Sequence, residues 1–345
     1  MTSGSDARIP ALLDITVIVC TYNRCRILAD TLANVDASEM PSSVTWEVLV
    51  VDNNSTDQTR EVVCDFHRRQ PERFRYLLEP KPGKSYALNA GIANAGGEVL
   101  AFLDDDVTVE PTWLHNLTAE LHGGEWAGSG GRILPRAGFK PPAWLAPSQF
   151  GILYGHFDLG DQPSELTCAP FGSNMAFRKD MFEKYGGFRT DLGPGPKTDI
   201  PRPNEDTEFG RRLIKAGERL RYEPWAVIRH PILPDRLRKE YFCAWWFDLG
   251  RAMIRERGDQ PDVFGIPRDY LALISRFVEI STQTLRGMFA PSPPERFDYK
   301  CQVWKNKGQM VELWRRFGRE EKAAKHEGKV GTIARGEAEG PSSGL

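Results

Sequence analysis

Three consecutive acidic residues, Asp104, Asp105 and Asp106, carry the strongest chemical signal in this sequence. They follow residues 98–103, an apolar run that predicts a buried strand. Two carboxylates about 4 Å apart repel each other by roughly 4 kcal/mol at an effective dielectric constant of about 20. Such a cluster needs a cation, hydrogen-bond donors or bound protons, and oxygen ligands suit Mg²⁺ or Mn²⁺. The alternative interpretation is an acidic turn that caps the next helix, because Asp is common at N-caps.

A second acidic segment, Asn204-Glu205-Asp206-Thr207-Glu208, begins a predicted helix. A carboxylate there could act as a general base, since it follows a Pro- and Gly-rich segment, residues 189–203, that could close over an acceptor as a lid. A structural role is the alternative, because the helix dipole favours first-turn acids by roughly 0.3–1 kcal/mol each. This segment by itself leaves both interpretations open.

Two further polar clusters follow apolar runs. Thr21-Tyr22-Asn23 comes after residues 15–20, and Asp52-Asn53-Asn54 comes after residues 46–51. A carboxylate at the end of a βα unit can accept hydrogen bonds from a ribose or a base, although the same residue types also form Asx turns and helix caps. The first turn contains no GxGxxG pattern, which argues against NAD or FAD.

The elements that must position these residues alternate along the first third of the chain. Short apolar strands alternating with amphipathic helices predict βαβ units and a buried parallel sheet. Because ligands bind at the carboxyl ends of strands in open parallel sheets, the polar clusters should meet at one edge. The predicted strands cover residues 15–20, 46–51, 73–78 and 98–103, and the predicted helices cover 27–35, 58–69 and 85–95, with another beginning at Pro111.

The rest of the chain is less regular. Residues 123–166 predict a strand with long loops, and residues 171–178 predict a strand that leads into a helix over 180–185. A helix over 205–216 should be capped by Asn204 and end at Gly217, and a strand should follow over 221–230. The helical patterns at 237–256, 267–289 and 299–317 precede a charged segment, poor in large apolar residues, that predicts a disordered tail.

Composition limits the function. The 345 residues hold 45 Lys and Arg against 47 Asp and Glu, so the near-neutral charge argues against nucleic acid as the main partner. The sequence shows neither a signal peptide nor a membrane span, and six scattered cysteines indicate reduced thiols in the cytoplasm. The aromatic C-terminal helices leave two interpretations open: a packed helical subdomain, or peripheral contact with the inner face of a membrane.

Five motifs in a fixed order resemble those of the family 2 glycosyltransferases. They are Val-Ile-Val-Cys-Thr-Tyr-Asn-Arg at 17–24, Val-Val-Asp-Asn-Asn-Ser-Thr-Asp at 50–57, Phe-Leu-Asp-Asp-Asp-Val at 102–107, Gly-Ser-Asn-Met-Ala-Phe-Arg at 172–178 and Asn-Glu-Asp-Thr-Glu-Phe-Gly-Arg-Arg-Leu at 204–213. The resemblance implies the α/β GT-A fold, which is Rossmann-like, with a mostly parallel central sheet flanked by helices. The resemblance covers about residues 14–235, which would form a GT-A domain with nucleotide-binding (about 14–110) and acceptor (about 111–235) halves. Outside it, we expect a flexible N-terminus (1–13), a helical extension (236–318) and a disordered tail (319–345).

The resemblance also implies roles for individual residues. Asp104 and Asp106 would be the outer residues of a metal-binding DxD motif, with Asp106 in direct contact with the metal and Asp104 nearer the ribose or sugar. Asp206 would be the catalytic base, preceded by Glu205. Asn53 stands where many relatives carry a second Asp. The other implied residues are Thr21, Tyr22, Asn23, Asp52, Lys84, Asn89 and Asp105 at the nucleotide sugar, His230 at the metal, and Gly172, Ser173 and Asn174 in an acceptor and sugar loop.

For two of these residues, a purely structural role is an alternative to ligand binding. A histidine after an apolar strand is more often structural than a ligand, so His230 could simply be packed. Lys84 could meet a phosphate as a point charge or remain a solvated surface lysine.

The implied activity is an inverting, metal-dependent hexosyl transfer of EC class 2.4. A nucleotide-diphosphate sugar would be the donor, Mg²⁺ or Mn²⁺ the cofactor, and a carbohydrate or lipid-linked hydroxyl the acceptor, as in the synthesis of cell-envelope polysaccharide. The competing interpretations are a non-catalytic nucleotide-sugar-binding protein and a sugar-phosphate nucleotidyltransferase. The second would be expected to show a Gly-rich, Arg-containing loop after the first strand, which Thr21-Tyr22-Asn23-Arg24 is not.

Overall fold

The computed structural model describes residues 13–194, 204–258, 262 and 268–336. The chain divides into two compact units, Met1–Trp245 and Trp246–Leu345. Most of the predicted flexible N-terminus (1–13) and residues 195–203 of the predicted lid lie outside the described part of the chain.

The first half of the first unit is the predicted parallel sheet. Strand β1 pairs in parallel with β2 on one side and with β4 on the other, and β2 pairs in parallel with β3. Every residue of β2 is buried, including Glu47 and the terminal Asp52, and the other five residues are apolar, as expected in a sheet that is covered on both faces. The elements are β1 (Leu13–Thr21), α1 (Cys25–Asp36), β2 (Trp46–Asp52), α2 (Thr59–Arg69), β3 (Phe74–Leu78), α3 (Lys84–Asn94) and β4 (Gly97–Asp104).

The second half extends the same sheet with mixed pairing. The strand order is β3-β2-β1-β4-β8-β6-β9-β5, and β7 pairs with β9. Strand β8 runs antiparallel to β4 and β6, whereas β6 and β9 are parallel. The elements are β5 (Thr108–Val109), α4 (Trp113–Thr118), β6 (Gly128–Pro135), α5 (Phe150–Tyr154), β7 (Ser164–Glu165), β8 (Asn174–Arg178), α6 (Lys179–Tyr185), α7 (Glu205–Lys215) and β9 (Leu220–His230).

An aromatic core fixes α7 against the sheet. The rings of Phe182 and Phe209 stack with centroids 4.5 Å apart, and Phe177 meets Phe209 edge to face at 5.1 Å. Phe102 of β4 contacts Phe188 edge to face at 5.5 Å. Because these side chains join β4, β8, α6 and α7, the first turn of α7 is held beside the end of β4.

The helices α8 (Lys239–Arg257), α9 (Arg268–Phe289) and α10 (Pro293–Gly336) form the C-terminal part of the structure, and α8 begins before the boundary between the units. Helices α9 and α10 are antiparallel, since the ring of Tyr270 lies 4.5 Å from that of Phe317. None of the helices in the described residues is long and apolar enough to cross a membrane. Helix α10 includes residues 319–336 of the predicted disordered tail, a segment whose Glu, Lys and Ala have high helix propensity. Residues 337–345 lie outside the described part.

Candidate active site

The carboxyl ends of β1, β2 and β4 meet at one edge of the sheet, as predicted. A cavity of about 490 Å³ opens there. It is lined by residues from these strand ends, from the turn before α3 and from the end of β9. The lining residues include Thr21, Tyr22, Arg24, Asn53, Asn54, Lys84, Asp104, Asp105, Asp106, His230 and Arg236.

Asp104, Asp106 and His230 form a cluster that could hold a metal ion, with one ligand atom from each residue lying within 4.8 Å of the other two. The His230 Nδ1 lies 2.8 Å from the Pro231 carbonyl oxygen and must donate to it, so Nε2 is left facing the carboxylates. Nε2 lies 3.5 Å from the Asp106 Oδ1 and 4.0 Å from the Asp104 Oδ2.

A divalent cation fits this donor set. The Asp106 Oδ1 is buried and has no hydrogen-bond partner among the described residues, an arrangement that is costly without a ligand. Two carboxylates and a neutral imidazole nitrogen suit a first-row ion such as Mn²⁺, while the oxygens alone would also accept Mg²⁺. Asp104, Asp106 and His230 are therefore brought together as the family resemblance implies.

Asp105 faces inward. Its Oδ2 accepts a hydrogen bond from the Thr21 hydroxyl at 2.7 Å, and its Oδ1 pairs with the Arg24 guanidinium at 2.9 Å. Arg24 also binds the Asp106 Oδ2 at 3.0 Å. Burial raises the pKa of Asp105, and the charge of Arg24 opposes this effect. Asp105 and Thr21 therefore support the turn, and Arg24 holds one oxygen of Asp106 so that the other points to His230.

Lys84 links the cluster of Asp104, Asp106 and His230 to the start of α7. Its Nζ lies 2.9 Å from the Asp104 Oδ1 and 3.8 Å from the Glu205 Oε1. Burial lowers the pKa of Lys84, but the carboxylates of Asp104 and Glu205 outweigh burial and raise it above the ordinary range. Lys84 is thus a half-buried, permanently charged group at the cavity and not a solvated surface lysine.

Glu205 and Asp206 differ in their surroundings although they are adjacent. Glu205 is 3% exposed, and burial, then the charge of Asp206, raise its pKa to about 8 against the opposing charge of Lys84. Asp206 is half-buried, and its two oxygens accept hydrogen bonds from the backbone N–H groups of Gly172 (2.6 Å) and Thr207 (2.7 Å). These contacts fix the orientation of the Asp206 carboxylate.

The predicted side-chain cap by Asn204 is wrong. Asn204 precedes α7, but its φ of 99° is left-handed, unlike the extended backbone of a capping residue. Its Oδ1 instead accepts hydrogen bonds from the Thr207 hydroxyl (2.8 Å) and from Arg211 (2.9 Å).

The residues that follow β2 shape one side of the cavity through internal hydrogen bonds. The Asp52 carboxylate accepts hydrogen bonds from the Tyr76 hydroxyl (2.9 Å) and the Ser55 N–H (2.8 Å), and Asp52 is 2% exposed. The Asn53 amide donates to the carbonyls of residues 79 and 81 and accepts from the N–H of residue 83. Asn53 therefore anchors the loop that leads to Lys84, while Asp52 lies beneath the cavity wall.

The remaining implied residues lie in different environments. Tyr22 is exposed at the cavity, whereas the Asn23 side chain accepts the Thr56 N–H and joins the turns after β1 and β2. Asn89 binds both backbone groups of Phe188 and lines a separate depression, so the structure does not bring it to the cavity.

The implied acceptor loop also divides. The Gly172 N–H donates to Asp206, and the next residue, Ser173, is buried. Asn174 is fully buried, accepts a hydrogen bond from the Trp113 indole and donates to the carbonyls of Arg132 and Ala226. Since these bonds join β8 to β6 and β9, the structure gives Asn174 a role in the sheet rather than at a ligand.

Sequence reasoning missed two basic residues of the cavity, Arg24 and Arg236. Arg24 directly follows the Thr21-Tyr22-Asn23 turn, so its position next to that cluster was an available signal. Arg236 lies in a short helical turn after β9. Burial raises the pKa of Asp104, but the positive charges of Lys84 and His230, and to a smaller extent that of Arg236, outweigh burial and lower it. No feature of the sequence around Arg236 indicates its place beside Asp104.

The chain is similar to known proteins in both sequence and fold. The family model for glycosyl transferase family 2 matches residues 16–186. The succinoglycan biosynthesis protein ExoM of Rhizobium meliloti is 29% identical over 240 residues, 69% of this chain and 74% of that protein. The glucosyl-dolichyl phosphate glucuronosyltransferase of Haloferax volcanii is 27% identical over 244 residues, 68% of this chain and 75% of that protein. The mannosyltransferase PcManGT from Pyrobaculum calidifontis, solved with GDP-Man and Mn²⁺, aligns with a TM-score of 0.60 at 20% identity over 87% of each chain.

The likeness to the solved mannosyltransferase shows that the fold is GT-A, the architecture of a class of glycosyltransferases. The chain belongs to glycosyl transferase family 2, and it is a transferase of EC class 2.4. The fold class, the family and the type of enzyme predicted from the sequence are therefore confirmed. Family membership also disfavours the nucleotidyltransferase interpretation.

Proposed function

We propose that this enzyme is a metal-dependent inverting glycosyltransferase that uses a nucleotide-diphosphate sugar. The observation that carries the proposal is the cluster of Asp104, Asp106 and His230 at the wall of the cavity, where one buried carboxylate oxygen has no hydrogen-bond partner among the described residues. A cation bound there, Mn²⁺ or Mg²⁺, would supply a Lewis acid that neutralises charge on a diphosphate leaving group.

The chain itself supplies the cations that would bind the donor. Arg24, Lys84 and Arg236 all line the cavity, so a diphosphate would meet positive charge on several sides. Tyr22 and Asn53 would contact the nucleoside. The mannosyltransferase from Pyrobaculum calidifontis was solved with GDP-Man and Mn²⁺, which supports a donor of this chemical class.

Asp206 would act as the general base. The N–H groups of Gly172 and Thr207 orient its carboxylate, which would take the proton from an acceptor hydroxyl as that hydroxyl attacks the anomeric carbon. Buried Glu205, with a pKa of about 8, would stay protonated at neutral pH and add no second negative charge to the site. Direct displacement inverts the anomeric centre, so an α-linked donor would give a β-linked product.

The acceptor would be a carbohydrate or a lipid-linked glycoside. The relatives include a succinoglycan biosynthesis protein, whose name gives a polysaccharide product, and a glucosyl-dolichyl phosphate glucuronosyltransferase, whose name gives a lipid-linked glycoside. We propose a role in cell-envelope polysaccharide synthesis, in the cytoplasm or at the inner face of the membrane.

The test begins with the donor. Thermal-shift screening of UDP-, GDP- and dTDP-sugars with Mn²⁺ or Mg²⁺ should identify one that stabilises the protein, because a ligand of the native state raises its apparent stability. Asp206→Asn should then keep donor and metal binding and lose transfer, whereas Asp65→Asn, a matched change in an exposed ion pair of α2, should keep both. Unchanged turnover in Asp206→Asn would refute the assignment of Asp206 as the general base.

A further inference from the structure

Helix α9 presents an apolar face to solvent. Not one of its described residues is buried. Ile274, Phe277, Met288 and Phe289 are 64%, 65%, 72% and 80% exposed. Contiguous apolar surface of this kind is uncommon on a soluble protein and marks a surface that binds a partner. The exposed apolar residues of α9 are Tyr270, Leu271, Ile274, Phe277, Val278, Leu285, Met288 and Phe289.

The opposite face of α9 packs on α10 and carries the two charged residues from the middle of the helix, Arg276 and Glu279. The Arg276 guanidinium binds the Gln309 Oε1 at 3.0 Å and lies 3.6 Å from the Glu279 carboxylate. Both Arg276 and Glu279 are only half-exposed. The charges that break the apolar run in the sequence therefore lie on the side of α9 that faces its neighbour.

The exposed face holds no charged residue from Leu271 to Leu285. Its hydroxyl groups are satisfied within the helix, since Ser281, Thr282 and Thr284 donate to the carbonyls of residues 277, 278 and 280. A hydroxyl bound in this way needs no water and can enter an apolar environment at little cost.

Basic residues stand at both ends of this face. Arg268 and Arg286 are exposed, and a helical rise of 1.5 Å per residue separates them by about 27 Å. Residues 268–317, which span α9 and the described side chains of α10, hold nine Lys and Arg against five Asp and Glu, although the whole chain is slightly acidic. The pattern of an apolar face with flanking positive charge matches a helix that lies in the interface of an anionic bilayer.

We propose that the face of α9 formed by Leu271, Ile274, Phe277, Val278, Leu285, Met288 and Phe289 binds the surface of a membrane that contains anionic lipid. The helix lies parallel to the bilayer plane with its apolar side chains among the acyl chains and with Arg268 and Arg286 at the headgroups. It does not cross the bilayer, in keeping with the absence of a spanning helix among the described residues.

Flotation of the full-length protein with vesicles tests the proposal without any substrate, so its failure would leave the proposed transfer reaction untouched. The protein should float with vesicles of equal parts phosphatidylcholine and phosphatidylglycerol, and less with phosphatidylcholine alone or at high salt. Phe277→Asp should weaken binding at least about 10-fold, from the free energy of burying a Phe side chain. Trp225→Asp, a matched change at a side chain 54% exposed in β9, should bind like the unaltered protein. Circular dichroism should show both variants folded.

Light scattering without vesicles separates a membrane surface from a second copy of the chain as the occupant. A protein that is monomeric without vesicles, and whose flotation with vesicles is weakened by Phe277→Asp, supports the proposal. A dimer that Phe277→Asp dissociates, or flotation that is absent or unaffected by Phe277→Asp, would overturn it. Arg268→Gln combined with Arg286→Gln should remove the preference for anionic vesicles, and an unchanged preference would refute the role given to the arginines.

Discussion

Replacing Gly172 by Ala should separate the orientation of Asp206, the proposed catalytic base, from donor binding. A Cβ at residue 172 would lie 2.7 Å from the Asp206 Oδ2 and 3.2 Å from the Asp206 Cβ, so either the carboxylate or the loop must move. The same movement would lengthen the 2.6 Å hydrogen bond from the Gly172 N–H to Asp206. Among the described residues, Gly172 is not part of the cavity lining, so the donor contacts should remain intact.

The size of the effect follows from that hydrogen bond. A hydrogen bond to a charged group contributes about 1.5–3 kcal/mol. If this contribution orients the base in the transition state, its loss lowers kcat by about 10- to 150-fold. The KM for the donor should stay within about twofold, because an interaction that acts only in the transition state changes kcat and leaves ground-state binding unaltered.

The assay is initial-rate release of nucleoside diphosphate with the donor found by screening and a saturating acceptor. Gly123→Ala is the matched control, because a Cβ there meets no atom within 4 Å. Circular dichroism and thermal unfolding should show that both variants are folded. A Gly172→Ala enzyme with the kcat of the unaltered protein would refute the orienting role of this contact and weaken the assignment of Asp206.

Two further predictions concern the charged groups of the site. Asp106→Asn should weaken Mn²⁺ binding, as measured by calorimetry. The loss of affinity should exceed about 100-fold, because changes at residues that only orient a metal ligand typically cost about 10- to 100-fold. An unchanged affinity would exclude Asp106 from the metal site. Burial raises the pKa of Glu205 from 4.5 to about 8. The folded state then holds this proton more tightly than the unfolded chain, so the free energy of unfolding falls as the pH rises from about 4.5 to about 8. Glu205→Gln should flatten this fall when urea unfolding is compared at about pH 5 and about pH 8, and a profile as steep as that of the unaltered protein would contradict it.

The parallel half of the sheet could be predicted from the sequence because its strands are buried on both faces. β1, β2 and β4 are mostly apolar, and each ends in polar residues that mark the edge of the sheet. Strand β6 gives no such signal. Its Gly128 makes room for the Phe177 ring and its Gly131 for the Asn174 amide, so side chains from β8 occupy the places where β6 would carry its own.

The site shows the same division between local and distant information. The acidic residues Asp104, Asp106 and Asp206 could be found because motifs hold them at strand and helix ends. Their partners could not, since Arg24 reaches Asp106 across 82 residues and Gly172 reaches Asp206 across 34. Asn174 belongs to one of the sequence motifs, but its side chain forms its hydrogen bonds within the sheet and with α4. Only the three-dimensional contacts reveal this.

The position of His230 has a consequence for the stability of the fold. Asp104 and Asp106 lie at the end of β4 and His230 at the end of β9, and two other strands, β8 and β6, separate β4 from β9 in the sheet. A cation shared by these residues would be a reversible cross-link between distant parts of the chain. At 100 times its Kd, such an ion would stabilise the native state by about 2.7 kcal/mol. Chelators would then weaken the sheet itself as well as stop transfer, and enzyme purified without the ion would lose structure at lower temperature.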